Sequence, residues 1–305
     1  MKRGGHKMSD LGYAAGWRLV RRLPASVSST AFSLGADFAV RRNGGGVQQL
    51  RRNLARVVPQ ADEAELDELL RRSMRSYARY WQEMFRLPSI DPAAVHGKVS
   101  ETISGVENLD AALAEGNGAV MVLPHSGNWD AAGIWMVHYA GSFTTVVERL
   151  RPESLYERFV AFRESLGFEI LPASGGLGSF RVLLQRLRSN KVVCLVGDRD
   201  LTSAGIPVTF FGEQTKMPGG AARLAASTGA ALLPVGSWFT EDGWGIRIHP
   251  RIRVNAREEV PAATQALADI FAGDIAAHPA DWHMLQKFWL ADLTGDARVP
   301  LGEAG

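Results

Sequence analysis

One histidine of this chain is followed five positions later by an aspartate, in the stretch Pro124-His125-Ser126-Gly127-Asn128-Trp129-Asp130. Histidine is the side chain best suited to exchange a proton near neutral pH, and a carboxylate can fix its tautomer or its position. The pair can therefore remove a proton from an attacking hydroxyl group. The spacing alone is weak support, because a loop histidine bonded to a capping aspartate gives the same pattern.

The residues on either side of the pair predict where it lies. Residues 120–123 are an apolar run typical of a buried strand, and Asn128 or Ser126 can cap a helix that follows. His125 would then lie at the C-terminal edge of a sheet, where α/β proteins bind ligands. Asp130 would fall in the first helical turn and could fold back toward the imidazole. Backbone N–H groups at the start of that helix could also stabilise an oxyanion.

Short apolar runs alternate with helical patterns after residue 88. The predicted strands are 119–123, 144–147, 168–171, 192–196, 231–235 and 245–252, and the predicted helices are 129–139, 153–166, 178–189, 218–228 and 261–277. This alternation predicts an α/β fold in which a mixed central sheet is flanked by helices on both faces. The helical segment after the His/Asp motif, within residues 131–147, could line an apolar tunnel or simply form core.

The N-terminal part of the chain has a different character. Residues 11–42 predict one or two amphipathic helices divided at Pro24, and residues 47–58 and 62–87 predict further helices. Residues 1–60 carry eleven Lys and Arg against two acidic residues. We predict that residues 1–60 form a basic, amphipathic, membrane-associating helical segment and that residues 61–305 form a single catalytic α/β domain. The alternative is that these helices pack on the domain with solvated arginines.

Composition excludes several classes of protein. The 305 residues, 46% hydrophobic and 22% charged, are those of a globular protein. A single cysteine, Cys194, cannot form an intramolecular disulfide and fits a reducing compartment. No run of about 20 apolar residues predicts a spanning helix, and arginines interrupt any signal-peptide pattern. We therefore expect a cytoplasmic protein.

Other chemistries find little support in the sequence. His278 and His283 are five residues apart rather than four, and there is no cysteine cluster, so we predict no metal site. We expect Trp282 and His283 to pack or hydrogen-bond near the end of the sheet. The chain has neither a Gly-x-Ser-x-Gly elbow nor a phosphate-binding loop with its Lys-Ser/Thr. Arginines interleaved with apolar residues favour lipid over nucleic acid as the polyanionic partner.

Ordered sequence blocks resemble a known group of enzymes over nearly the whole chain. The blocks are residues 124–130, 147–153, 162–168, 197–202, 210–212, 217–220 and 279–286. They are similar to the acyltransferases with a His-four-residues-Asp motif, in the branch of the bacterial lipid A biosynthesis acyltransferases. Within that branch the chain most resembles the actinobacterial phosphatidylinositol mannoside acyltransferases.

The resemblance implies a reaction and a role for each motif residue. His125 would be the general base on a mannose hydroxyl of a phosphatidylinositol mannoside, which attacks an acyl-CoA thioester with no covalent enzyme intermediate. Asp130 would be the carboxylate of the motif. Asp198 matches the acidic position that partners the catalytic histidine, which is commonly Glu in this branch and is here one methylene shorter. Which of the two carboxylates contacts the imidazole is left open.

The resemblance also implies a substrate-binding set. Glu148 and Arg163 match positions that line the active-site groove near the acyl donor. Arginines close to the motifs suit the phosphates of coenzyme A, and the predicted set comprises Glu148, Arg149, Arg163, Arg199 and Asp200. We predict acyl-CoA as donor substrate, a long, palmitoyl-like acyl chain, no further cofactor, and a peripheral enzyme at the cytoplasmic face of the plasma membrane.

Three alternatives stay open at this point. The acceptor could be another glycolipid or a glycerophospholipid, water could replace the acceptor in a thioester hydrolase, or the chain could be a non-enzymatic membrane-binding protein. The sequence does not decide the acyl-chain length, the choice of coenzyme A over a carrier protein, the hydroxyl acylated or the oligomeric state.

Overall fold

A computed structural model of the chain describes residues 20–148, 153–200 and 204–293. The helices are α1 (Ala25–Arg42), α2 (Gly45–Val57), α3 (Glu63–Arg86), α4 (Pro92–Thr102), α5 (Val106–Ala114), α6 (Trp129–Ala140), α7 (Glu153–Ser165), α8 (Leu177–Arg188), α9 (Gly220–Thr228), α10 (Val260–Ala277) and α11 (Leu290–Leu293). The strands are β1 (Ala119–Leu123), β2 (Phe143–Val147), β3 (Phe168–Pro172), β4 (Val192–Val196), β5 (Ile206–Phe210), β6 (Glu213–Met217), β7 (Ala231–Phe239) and β8 (Trp244–Ile248).

Six strands form the central sheet in the order β3-β2-β4-β1-β7-β8. Neighbouring strands are parallel except β8, which runs antiparallel to β7. The remaining strands, β5 and β6, form a separate antiparallel hairpin. The mixed sheet predicted from the alternating pattern is confirmed.

Both faces of the sheet are covered by helices. Because successive side chains of a strand point to opposite faces, Val120 and Val122 of β1 pack into a core with residues of α8, α9 and α10. Met121 and Leu123 pack into a second core with residues of α4, α5 and α6. Because β1 is buried on both faces, all of its residues are apolar.

The N-terminal helices α1 and α2 pack against α3. Leu50 and Leu54 of α2 share an apolar cluster with Leu66 and Leu70 of α3, and Ala36 of α1 joins it. The first predicted amphipathic segment lies largely outside the described residues, and the second corresponds to α1, which begins directly after Pro24. Within the described residues, no helix combines the length and the apolar character needed to cross a membrane.

Candidate active site

The His/Asp motif forms the predicted strand–turn–helix. The turn after β1 requires glycine at position 127, because φ is +59° there and a Cβ atom would lie 2.7 Å from Oγ of Ser237. Asn128 caps α6, and its side chain accepts hydrogen bonds from the N–H groups of Asp130 (3.0 Å) and Ala131 (3.2 Å). His125 follows β1 and Asp198 follows the parallel neighbour β4, so both lie at the C-terminal edge of the sheet.

Asp198 is the carboxylate that contacts His125. Its Oδ1 lies 2.5 Å from Nδ1 of His125, and its Oδ2 accepts hydrogen bonds from the backbone N–H of His125 and from Nε1 of Trp282, each at 3.0 Å. Asp198 is fully buried. Burial acts to raise the pKa of this carboxyl group, but the charge of His125 and the hydrogen bonds from His125 and Trp282 outweigh it and lower the pKa.

The hydrogen-bond network assigns the tautomer of His125. An ionised Asp198 only accepts, so Nδ1 of His125 carries a proton and donates it to the carboxylate. The lone pair of the neutral ring then lies at Nε2. The side chain is 34% exposed and lines a cavity, so Nε2 can meet a substrate hydroxyl. This is the geometry of a general base held by a buried carboxylate.

Asp130 has a different partner. Its two oxygens accept hydrogen bonds from Nε (2.7 Å) and Nη2 (2.8 Å) of Arg163, and both side chains are buried. Burial acts to lower the pKa of Arg163, but the charge of Asp130 and its hydrogen bonds raise it. A buried guanidinium needs a counterion, so Asp130 in the first turn of α6 is committed to α7 and does not fold back to the imidazole.

The start of α6 offers fewer oxyanion donors than expected. The N–H groups of Asp130 and Ala131 bond to Asn128, and the N–H group of His125 bonds to Asp198. The N–H of Gly127 bonds to the carbonyl of Asp281 at 3.0 Å. These groups position the turn instead of pointing toward a reacting atom.

A second histidine, which was not in the predicted site, lies beside His125. The backbone N–H of His283 donates to the carbonyl of His125 at 2.8 Å, and Nε2 of the ring lies 2.9 Å from Oγ of Ser76. Ser76 donates to Asp281 at 2.6 Å, so it accepts from the histidine ring. Burial, together with the charge of His125, lowers the pKa of His283 to about 3, so its ring is neutral. The sequence predicted that Trp282 and His283 pack or hydrogen-bond near the end of the sheet, but it did not predict the contact of His283 with His125.

The predicted substrate-binding residues have varied surroundings. Glu148 is exposed at the end of β2, and Arg199 and Asp200 are half-buried after β4; all three line the same cavity as His125 and Arg163. Asp200 accepts a hydrogen bond from the N–H of Gly205 at 2.8 Å. Arg149 lies outside the described residues. Among those described, no three His, Cys, Asp or Glu side chains are grouped to hold a metal ion.

The cavity has a volume of about 590 Å³ and mostly apolar walls. Residues from both faces of the sheet line the cavity. Met136 and Phe168 belong to the core on one face, and Leu183 and Leu224 belong to the core on the other. Strands β2 and β4 pair only at residues 144–145 with 193–194, although each continues further. We infer that the cavity passes between the two strands where their pairing stops.

This site can activate a hydroxyl group beside a space for a long apolar chain. A bacterial lipid A biosynthesis acyltransferase family model matches residues 7–291. The phosphatidylinositol mannoside acyltransferase of Mycolicibacterium smegmatis is 54% identical over 301 residues, which cover 98% of this chain and 97% of that protein. A protein of the same name from Mycobacterium tuberculosis H37Rv is 55% identical over 294 residues, 96% of this chain and 92% of that protein. The resemblance found in the sequence is confirmed, and the chain belongs to the bacterial lipid A biosynthesis acyltransferase family.

Proposed function

We propose that this acyltransferase moves a long-chain, palmitoyl-like acyl group from acyl-CoA to a mannose hydroxyl of a phosphatidylinositol mannoside at the membrane surface. The observation that carries the proposal is the position of His125. It is oriented as a base by Asp198 and lies at an apolar cavity, in a chain more than half identical to two proteins named for that glycolipid.

The reaction needs one base and no covalent enzyme intermediate. Nε2 of His125 takes the proton of the mannose hydroxyl as its oxygen attacks the thioester carbon. The carbon–sulfur bond then breaks, and the thiolate of coenzyme A takes the proton from Nε2. Asp198 stays ionised throughout and stabilises the imidazolium that forms, for which its lowered pKa is suited.

The cavity supplies the place for the acyl chain. Its apolar walls exclude water from the acyl chain while the thioester stays near His125, which lines the same cavity. Segment 131–147 contributes walls such as Trp135 and Met136, as the tunnel hypothesis requires. We propose that Arg199, Asp200, Glu148 and Arg163, with Arg149, meet the polar parts of donor and acceptor.

Helix α1 supplies a surface for the membrane. Val27, Leu34 and Phe38 are 49%, 64% and 60% exposed and lie on one helical face, with Arg41 and Arg42 in the last turn. The guanidinium of Arg42 lies 5.8 Å from the ring centre of Phe38. We propose that this face inserts at the inner leaflet, with apolar side chains in lipid and arginines at phosphates, so that the enzyme works peripherally at the cytoplasmic side.

The test is a product analysis by mass spectrometry. Purified protein is incubated with palmitoyl-CoA and, in parallel, a phosphatidylinositol mannoside, a lipid A-like glycolipid, glycerol-3-phosphate or no acceptor. We expect an acylated mannoside and little free palmitate. Acylation of glycerol-3-phosphate but not of the mannoside, or release of palmitate at the same rate with and without acceptor, would overturn the assignment.

A further inference from the structure

Glu83 of α3 is a half-buried carboxylate, and both of its oxygens accept hydrogen bonds. Oε1 accepts from Nε of Arg79 at 2.8 Å, and Oε2 accepts from Nδ2 of Asn128 at 2.6 Å and from Nε1 of Trp244 at 2.8 Å. The side chain is only 13% exposed. Three donors from three parts of the chain meet at one carboxylate, and no motif in the sequence marks it.

The bond to Asn128 decides which way that amide points. An ionised carboxylate only accepts, so the NH₂ group of Asn128 must face Glu83. The amide oxygen is thereby turned toward α6, where it accepts from the N–H groups of Asp130 and Ala131. Glu83 therefore fixes the helix cap from 45 positions away in the chain.

The capping residue Asn128 lies in the chain between His125 and Asp130. His125 lies three residues before Asn128, and Asp130 two residues after it. Trp129 lies between these two residues and packs against Tyr80 of α3, with ring centres 4.2 Å apart. The ring of Trp129 also lies edge-on to that of His125, with ring centres 5.8 Å apart. A rotation of the cap amide would move the turn that carries the imidazole and the first turn of α6 together.

Arg79, which also donates to Glu83, connects this carboxylate to the turn between β7 and β8. Arg79 donates to the carbonyls of Thr240 and Gly243, each at 2.9 Å, and lies over the ring of Phe239 at 4.3 Å. None of the bonds that Glu83 accepts comes from His125 or Asp198. We propose that Glu83 is a positioning residue for acyl transfer, which acts on His125 only through Asn128. This inference rests on the proposed function.

The test compares Glu83→Gln with a compensating double variant. In Glu83→Gln one acceptor oxygen is left for three donors, so the cap amide loses its fixed orientation. We expect kcat to fall roughly 10- to 100-fold, as for a displacement of about 1 Å, with KM for the acyl donor nearly unchanged. In Glu83→Gln/Asn128→Asp the NH₂ group of the glutamine can donate to the new carboxylate, which also caps helices well, and its oxygen can accept from Arg79. Only the bond from Nε1 of Trp244 is not restored. We expect most of kcat to return.

Controls separate positioning from folding. Glu68→Gln changes an exposed glutamate of the same helix, which pairs with Arg71 in a surface contact, and should leave kcat unchanged. A kcat for Glu83→Gln equal to that of the wild type, or a loss that follows a lowered melting temperature and is not restored by Asn128→Asp, would overturn the proposal.

A second readout does not depend on substrate. Amide hydrogen exchange at Asp130 and Ala131 should become faster in Glu83→Gln and slow again in the double variant. If the wild-type protein transfers no acyl group, the proposed function fails, while this exchange still decides whether Glu83 fixes the cap. Unchanged exchange in Glu83→Gln would remove the basis of the inference.

Discussion

The two aspartates of the site have separate roles that their sequence positions do not reveal. Asp130, in the motif, neutralises a buried arginine, whereas Asp198, 73 positions from His125, holds the imidazole. A motif records spacing along the chain, but the contact arises because β1 and β4 are parallel neighbours in the sheet. The sequence could identify both carboxylates as candidates, and only the packing assigns them.

Replacement of Asp198 by Asn should affect chemistry more than folding. The amide lacks the charge that stabilises the imidazolium. Its NH₂ group would also face an N–H group of His125 or Trp282, so a hydrogen bond is lost. We expect kcat for acyl transfer to fall about 10²- to 10⁴-fold, with KM nearly unchanged. Steady-state kinetics on the folded variant checks this, and a kcat within twofold of the wild type would contradict the role of Asp198.

Replacement of Asp130 by Asn should act chiefly on stability. The buried charge of Arg163 would lose its counterion, which costs roughly 3–5 kcal/mol of unfolding free energy. The double variant Asp130→Asn/Arg163→Met should be more stable than Asp130→Asn alone, because the unpaired charge is gone. Urea unfolding of both variants measures this coupling, and an equal loss in the two would show that the ion pair is not the cause.

Because the folded protein keeps His283 neutral, we expect the free energy of unfolding to fall in acid. Its pKa is about 3 in the folded protein and 6.5 as an ordinary value, so the unfolded chain binds a proton first as the pH falls. Stability from this group is present above about pH 6.5 and is lost progressively down to about pH 3. Between pH 7 and pH 5 we expect a loss of about 2 kcal/mol.

The measurement compares unfolding free energies at pH 7 and pH 5. His283→Gln keeps a donor for Ser76 but cannot titrate, so its stability should fall by about 2 kcal/mol less than that of the wild type. The same pH dependence in the two proteins would mean that His283 does not titrate in this way.

At the scale of elements, the main strands and helices were predictable because each combines an apolar run with clear ends. The hairpin β5–β6 was not, because its turn places Phe211 and Gly212 at positive φ (49° and 78°) where Asn-Gly is the usual signal. Helices α4 and α5 also escaped prediction, since they are short and bury few apolar residues each. Strand β8 ends at Ile248, before the predicted end at 252.

Helix α1 carries the prediction for membrane binding. Leu34→Asp/Phe38→Asp places charge on the exposed apolar face without touching the core of α1, so we expect partitioning to anionic liposomes to fall at least roughly tenfold. Leu293→Asp, at another leucine that is 49% exposed, is the matched control and should bind as the wild type does. Co-sedimentation measures both, and unchanged binding of the α1 variant would count against this surface.

Across the whole molecule, the distribution of charge and the packing of the N-terminal helices support the proposal of an enzyme that works at a membrane surface. Residues 1–60 carry a formal charge of +9 against −7 for the rest of the chain, which favours one orientation toward an anionic leaflet. The described N-terminal helices α1 and α2 pack on α3, and Ser76 and Tyr80 of α3 contact His283, whose backbone is bonded to His125. The proposed membrane-binding face of α1 and the site around His283 are therefore connected through helix α3. The division of the chain at residue 60 stays a prediction.

The central claim is that His125 is the base of direct acyl transfer, and its most direct test is the rate of acylated mannoside formation by His125→Ala. Wild type and variant are assayed by mass spectrometry with palmitoyl-CoA and a phosphatidylinositol mannoside, at equal amounts of folded protein. We predict a fall of at least about 10²-fold in the variant with donor binding retained. Acyl transfer at the wild-type rate in His125→Ala would contradict the mechanism.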